Sequence, residues 1–110
     1  MKKYVVIYHA PRAAMENMPN DPDKMKEGMA QWMAWAKKCG AGMVDLGTPL
    51  GGGTRVAASG TGPSKREVVG YSILQAENLE AAKKMLDGHP HLHMPGGCEI
   101  EIHESLPLPA

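Results

Sequence analysis

Histidine is the residue type through which this chain has most chemistry to offer, and three of its five histidines alternate in one tract, His89-Pro90-His91-Leu92-His93. In an extended conformation, residues two apart point to the same side. The three imidazoles would then converge as a transition-metal site requires, with Asp45, Glu99 or His9 as the remaining donors. The competing reading is a loop, in which His89 sits at the C-terminus of a preceding helix, where the macrodipole favours positive charge, and His91 hydrogen-bonds within a cleft. His9 ends a strand-like run, and an imidazole, whose ordinary pKa lies near ~6.5, can serve as acid or base at neutral pH. Asp45 stands between Val44 and Leu46. Alternation places it toward solvent, whereas an inward orientation would desolvate it and make it a general-base candidate. Trp32 and Trp35 offer either a stacking wall for an aromatic ligand or core packing. Gly51-Gly52-Gly53 lacks the Lys-Ser/Thr and following helix of a phosphate loop.

The elements that must hold these groups are legible from periodicity and caps. Lys3 to His9 is rich in Val, Ile and Tyr, which suit a pleated strand with Tyr4, Val6 and Tyr8 on one face and Val5, Ile7 and His9 on the other. Pro11 to Pro22 reads as a long, lid-like loop. Asp21-Pro22 starts a helix, with the aspartate as N-cap and proline in the first turn. Met25, Met29, Trp32, Met33, Ala36 and Cys39 recur at helical spacing as a buried stripe with Trp35 at its edge, and Gly40 ends the helix. Met43 to Leu46 and Arg55 to Ser59 read as short strands, and Gly60-Thr61-Gly62-Pro63 as a turn. Val68 to Ala76 is the longest strand, where Gly70 signals a bulge or a close backbone approach. Asn78 caps a second helix ending at Asp87. Cys98 to His103 is the last strand, with Ile100 and Ile102 inward and Glu99, Glu101 and His103 on a wetter face.

This βα, strands, αβ order predicts an α+β fold, a ferredoxin-like βαββ(β)αβ sandwich with helices on one face of an antiparallel sheet. One domain spans 1–110, with its core over 1–104 and a Pro-rich tail over 105–110. Frequent methionine in a chain without phenylalanine implies thioethers filling the core. Basic and acidic residues balance without charge blocks, which disfavours a nucleic-acid or membrane partner. Met1-Lys2-Lys3 runs directly into strand residues rather than a signal-peptide core, and the expected location is cytoplasmic. Cys39 and Cys98 stand in no metal or redox spacing and read as free thiols.

The ordered set comprising a Tyr-rich first strand, Trp32-x-x-Trp35, Asp45-Leu46-Gly47-x-x-Leu50, Gly62-Pro63, Gly70-Tyr71, Asn78-Leu79-Glu80-x-Ala82 and His89-Pro90 before Glu-Ile-Glu-Ile resembles the YCII-related proteins, specifically their DGPF branch. The resemblance implies a dimeric α+β barrel in which two ferredoxin-like subunits pack sheet to sheet. The namesake Asp-Gly-Pro-Phe stands here as Thr61-Gly62-Pro63-Ser64, which keeps the turn residues and loses the acid and the aromatic. The family's proposed His-Asp pair draws its histidine from the first helix. That helix has none here, with Met29 or Gln31 nearest, so the pair does not carry over even where Asp45 approximates the acid.

Together these features predict a homodimer that binds or transforms a small organic molecule in a cleft. His9, Asp45 and His91 are the expected proton-transfer groups, with Trp35, Tyr71 and His89 lining the pocket. The chemistry expected is that of a cofactor-independent isomerase, lyase or oxygenase, with no metal and no cofactor assigned. The alternative is a non-catalytic binding or accessory module.

Overall fold

The computed structural model describes residues 1–13, 21–94 and 96–109. Most of the loop expected between Pro11 and Pro22 therefore lies outside the described residues. The chain forms β1 (Lys2–His9), α1 (Pro22–Cys39), β2 (Met43–Asp45), β3 (Thr54–Ala57), β4 (Gly60–Pro63), β5 (Val68–Ala76), α2 (Leu79–Met85) and β6 (Glu99–Glu104), with 3-10 turns at Gly40–Gly42 and Pro90–His93. Strands β2, β5, β1 and β6 lie in that order in one sheet, and every neighbouring pair is antiparallel. This is the ferredoxin-like order, with the β3–β4 hairpin inserted as a separate two-stranded sheet.

Local sequence explains the helix ends. Asp21 accepts a hydrogen bond from the Asp23 amide at 3.0 Å, and Pro22 occupies the first turn. Asn78 accepts from the Ala81 amide at 2.8 Å and so caps α2. One face of the sheet meets both helices. Tyr4, Val6 and Tyr8 from β1, and Ser72, Leu74 and Ala76 from β5, are buried there with Trp35, Ala82 and Leu86. The Trp35 indole N–H donates to the Met85 carbonyl at 2.7 Å, which ties α1 to the end of α2.

Three readings are corrected. The stripe of α1 that packs inward is Trp32, Trp35, Ala36 and Cys39, and Trp35 is its most buried member at 4% exposure. Met25, Met29 and Met33 repeat every fourth residue on the neighbouring strip and remain 61%, 59% and 52% exposed. The large indoles set the phase of the helix, so the thioethers that reach the core are those of Met43 and Met85 instead. Gly60-Thr61-Gly62-Pro63 is strand β4 rather than a turn, because pairing with β3 uses backbone groups that small residues supply equally well. The tract His89 to His93 is not extended, since Pro90–His93 coils into a 3-10 turn.

Beside Tyr8 the β1–β5 register slips, so that Tyr8 faces Gly70 and His9 faces Val68, leaving Val69 as the extra residue. Its carbonyl is satisfied by the Leu50 amide at 3.0 Å. The loop carrying that amide also presses on β5 through Gly47, which has φ +78°, and a Cβ built there would lie 1.8 Å from the Tyr71 carbonyl oxygen. Gly47→Ala should cost about 2 kcal/mol or more in urea unfolding. Gly28→Ala, whose Cβ meets no described atom within 4 Å, should instead stabilise α1 by up to about 1 kcal/mol.

Candidate functional site

Two groups of polar residues lie on opposite faces of the sheet. On the helix face a hydrogen-bond chain is buried. Ser72 Oγ lies 2.6 Å from the Leu46 carbonyl, which only accepts, so the serine hydroxyl donates to it. Tyr8 Oη, 2.8 Å from Ser72 Oγ, then donates to the serine. His89 Nε2, 3.1 Å from Tyr8 Oη, donates to the phenol, and His89 Nδ1 accepts the His91 amide at 3.0 Å. Each proton has one place to go, and the arrangement requires a neutral His89 protonated on Nε2. Trp35 and Trp32 pack on the imidazole at ring-centre distances of 4.2 and 4.5 Å. Burial, with His91 adding a second contribution, pushes the His89 pKa down from 6.5 to about 4. Burial pushes Tyr8 up to about 12 against the opposing hydrogen bond with Ser72. Neither group exchanges protons near neutrality, so the chain acts as a polar strut.

On the other face, His9 stands at the end of β1 in a cleft of about 260 Å³ with Arg66, Glu67, Glu99 and Glu101. Its Nδ1–H donates to the Arg66 carbonyl at 2.9 Å, which fixes both the tautomer and the ring orientation. Nε2 is covered and has no hydrogen-bond partner among the described residues, and the atom it faces is Glu101 Oε1 at 3.4 Å. Glu101 also meets His103 Nε2 at 3.1 Å. That hydrogen bond above all, with a smaller contribution from the nearby His9, holds the Glu101 carboxyl below the usual carboxylate range against opposing desolvation. Glu67, which has φ 53°, accepts the Arg12 amide through Oε1 at 3.4 Å.

The six residues singled out from sequence fall in three places. Trp35, His89 and His91 join the helix-face cluster with Tyr8 and Trp32. His91 touches His9 only through the backbone, since its Nε2–H donates to the His9 carbonyl at 2.8 Å. Tyr71 is half-buried on the open face, paired with Ile7. Asp45 is exposed on β2, two strands away from β1, and its Oδ1 accepts the Gly47 amide at 2.9 Å in a turn. The carboxylate brought to His9 is therefore Glu101 of β6. Sequence reasoning put Glu101 on the wet face of its strand, but the diagonal that carries it to His9 depends on the β1–β6 register, which pairs Ile7 with Glu101. Arg66, Tyr8 and Ser72 carried no spacing signal. Among the described residues, no group of three or more His, Cys, Asp or Glu is arranged to hold a metal.

Among protein families, the YCII-related domain matches residues 1–105. No curated protein matches the sequence. Among solved structures, the chain is similar to the 5-chloro-2-hydroxyhydroquinone dehydrochlorinase TftG of Burkholderia phenoliruptrix AC1100, in its complex with 2,5-dihydroxybenzoquinone. That likeness has a TM-score of 0.50 and 15% identity over 90% of each chain, and it is one of fold.

The depressed His89 pKa makes a prediction about stability. The unfolded chain takes up a proton near pH 6.5 and the folded chain only near 4, so this contribution is complete above the higher value and is lost as pH falls toward the lower. The loss should be on the order of 3 kcal/mol. Urea unfolding across that range should show this slope in the native protein, and His89→Gln should flatten it.

Proposed function

The chain belongs to the YCII-related family, and from that membership we propose that it is a homodimeric protein of the DGPF type that binds and transforms a small organic molecule by proton transfer at His9. The reaction class is that of a cofactor-independent isomerase, lyase or oxygenase. The observation that carries this reading is the His9–Glu101 pair. With Nδ1–H committed to the Arg66 carbonyl, a neutral ring sets its Nε2 lone pair against a carboxylate oxygen, whereas a protonated ring makes an ion pair. The two groups therefore share a site for one proton. Glu101 is half exposed, with its side chain at 53%, so a ligand hydroxyl or acidic C–H that displaces it meets Nε2 directly and gives or takes that proton. His91 stands behind this group, holding the backbone carbonyl of His9. Asp45 serves its own turn.

A second copy is supported by the shape of the chain. Val5, Ile7, Tyr71 and Ile73 leave the open sheet face only half-buried, the molecule is a slab 19 Å thick, and its radius of gyration of 15.4 Å exceeds the roughly 13 Å of a compact domain this long. Sheet-to-sheet pairing would cover this face. Two measurements test the proposal. Native mass spectrometry should give a dimer at micromolar concentration, and a monomer would remove the barrel. An NMR screen with small organic fragments should move the amides of Ala10, Glu67 and Gly97, and His9→Ala should weaken the best binder by roughly tenfold or more (about 1.4 kcal/mol). Fragments that leave those amides still would count against the cleft.

A further inference from the structure

The His9 cleft has an imbalance of charge and of hydrogen-bond donors that bears on what enters it. Three carboxylates, from Glu67, Glu99 and Glu101, line it against one guanidinium, that of Arg66. The single N–H of a neutral His9 is spent on the Arg66 carbonyl, so the ring presents an acceptor to the cleft. Glu101 takes one hydrogen bond from His103, and Glu67 takes a long one from the Arg12 amide. Glu99 makes no ion pair with any described residue. Acceptors therefore outnumber donors, and the field is negative. Arg66 is the one lining group that favours an anion, and it is outnumbered. An adjoining cavity of about 570 Å³ over the sheet shares His9, Arg66 and Glu101 with the cleft, and Ile7 and Val68 give it an apolar wall beside His103.

A ligand matched to this lining brings donors rather than acceptors, carries positive or no charge, and has a hydrocarbon body. On the reading that this cleft is the working site, we infer that its ligand class is the small hydroxylated amines. The ammonium lies between Glu67 and Glu99, the hydroxyl meets the His9–Glu101 pair, and the carbon skeleton rests on Val68, at the rim of the face that a second copy would cover. Organic anions such as carboxylates and phosphates bring their charge against three carboxylates and are disfavoured.

A series that keeps the para-hydroxyphenyl body and changes one end group separates these cases: tyramine is a cation, tyrosol is neutral and para-hydroxyphenylacetate is an anion. Each is titrated at low salt while the amides of Glu67 and Gly97 are followed by NMR. Tyramine should bind tightest, with at least roughly a tenfold margin over the anion, and added salt should narrow that margin. The double variant Glu67→Gln with Glu99→Gln should collapse it, and Glu99→Gln alone reads the same ratio if the double variant fails to fold. An anion that binds as tightly as tyramine overturns the inference. If other fragments move the cleft amides and none of these three does, the ligand class is wrong while the cleft stands. If no fragment binds at all, the cleft reading itself has failed.

Discussion

The phenol of Tyr8 is the junction on which the helix-side architecture depends. It comes from the central strand β1, accepts from His89 in the segment after α2, and donates to Ser72 on β5, which in turn donates to Leu46 in the segment following β2. Three polar side chains are buried to do this, and each would cost about 1–3 kcal/mol if left unpaired. Because the terminal acceptor is a carbonyl and the other end is an amide donor, the chain of protons can run in only one direction. A directional network of this kind specifies the neighbours of each strand more sharply than apolar contact, since a slip of one residue would orphan several groups at once.

The same sheet separates two histidine environments with opposite consequences. His89 is enclosed by two indoles and a phenol, has both ring nitrogens engaged, and is held neutral. His9, on the other face, has one nitrogen anchored to a backbone carbonyl and the other opposed to a carboxylate. The residue type is shared, and the partner on the second nitrogen decides whether a proton can move. His91 links the two environments without joining them chemically, because it grips the His9 carbonyl from behind.

What the sequence discloses follows from how local each signal is. Asp21, Pro22 and Asn78 mark helix starts because capping involves residues two or three apart. The long apolar runs of β1 and β5 are recognisable for the same reason, and the element order led to the ferredoxin-like arrangement. The phase of α1 was harder to read, since methionines and tryptophans recur on adjacent strips and only tertiary packing selects the indoles. Gly60 to Pro63 had turn composition, and its strand character exists only through the β3 partner. The candidate site was the least legible part. His9 stood out by its position at a strand end, but Glu101 reaches it through a strand register nearly a hundred residues away in sequence, and Arg66 contributes a backbone carbonyl that carries no residue-type signal.

The division between faces also constrains any ligand. With the helix face filled by Tyr8, Trp32, Trp35 and His89, the ring of His9 lies on the open face. That is also the face whose half-buried Val5, Ile7, Tyr71 and Ile73 call for a cover. On the proposed reading, binding and association would draw on one surface, and its composition would partition them. The apolar centre suits a sheet-to-sheet contact, while the charged end, where Glu99, Glu101, His103 and Arg66 gather around His9, is too costly to desolvate against an apolar partner. A second copy seated on the centre would leave that end as a walled recess, drier than the isolated cleft, and in lower dielectric the His9–Glu101 pair would respond more strongly to whatever charge the ligand brings.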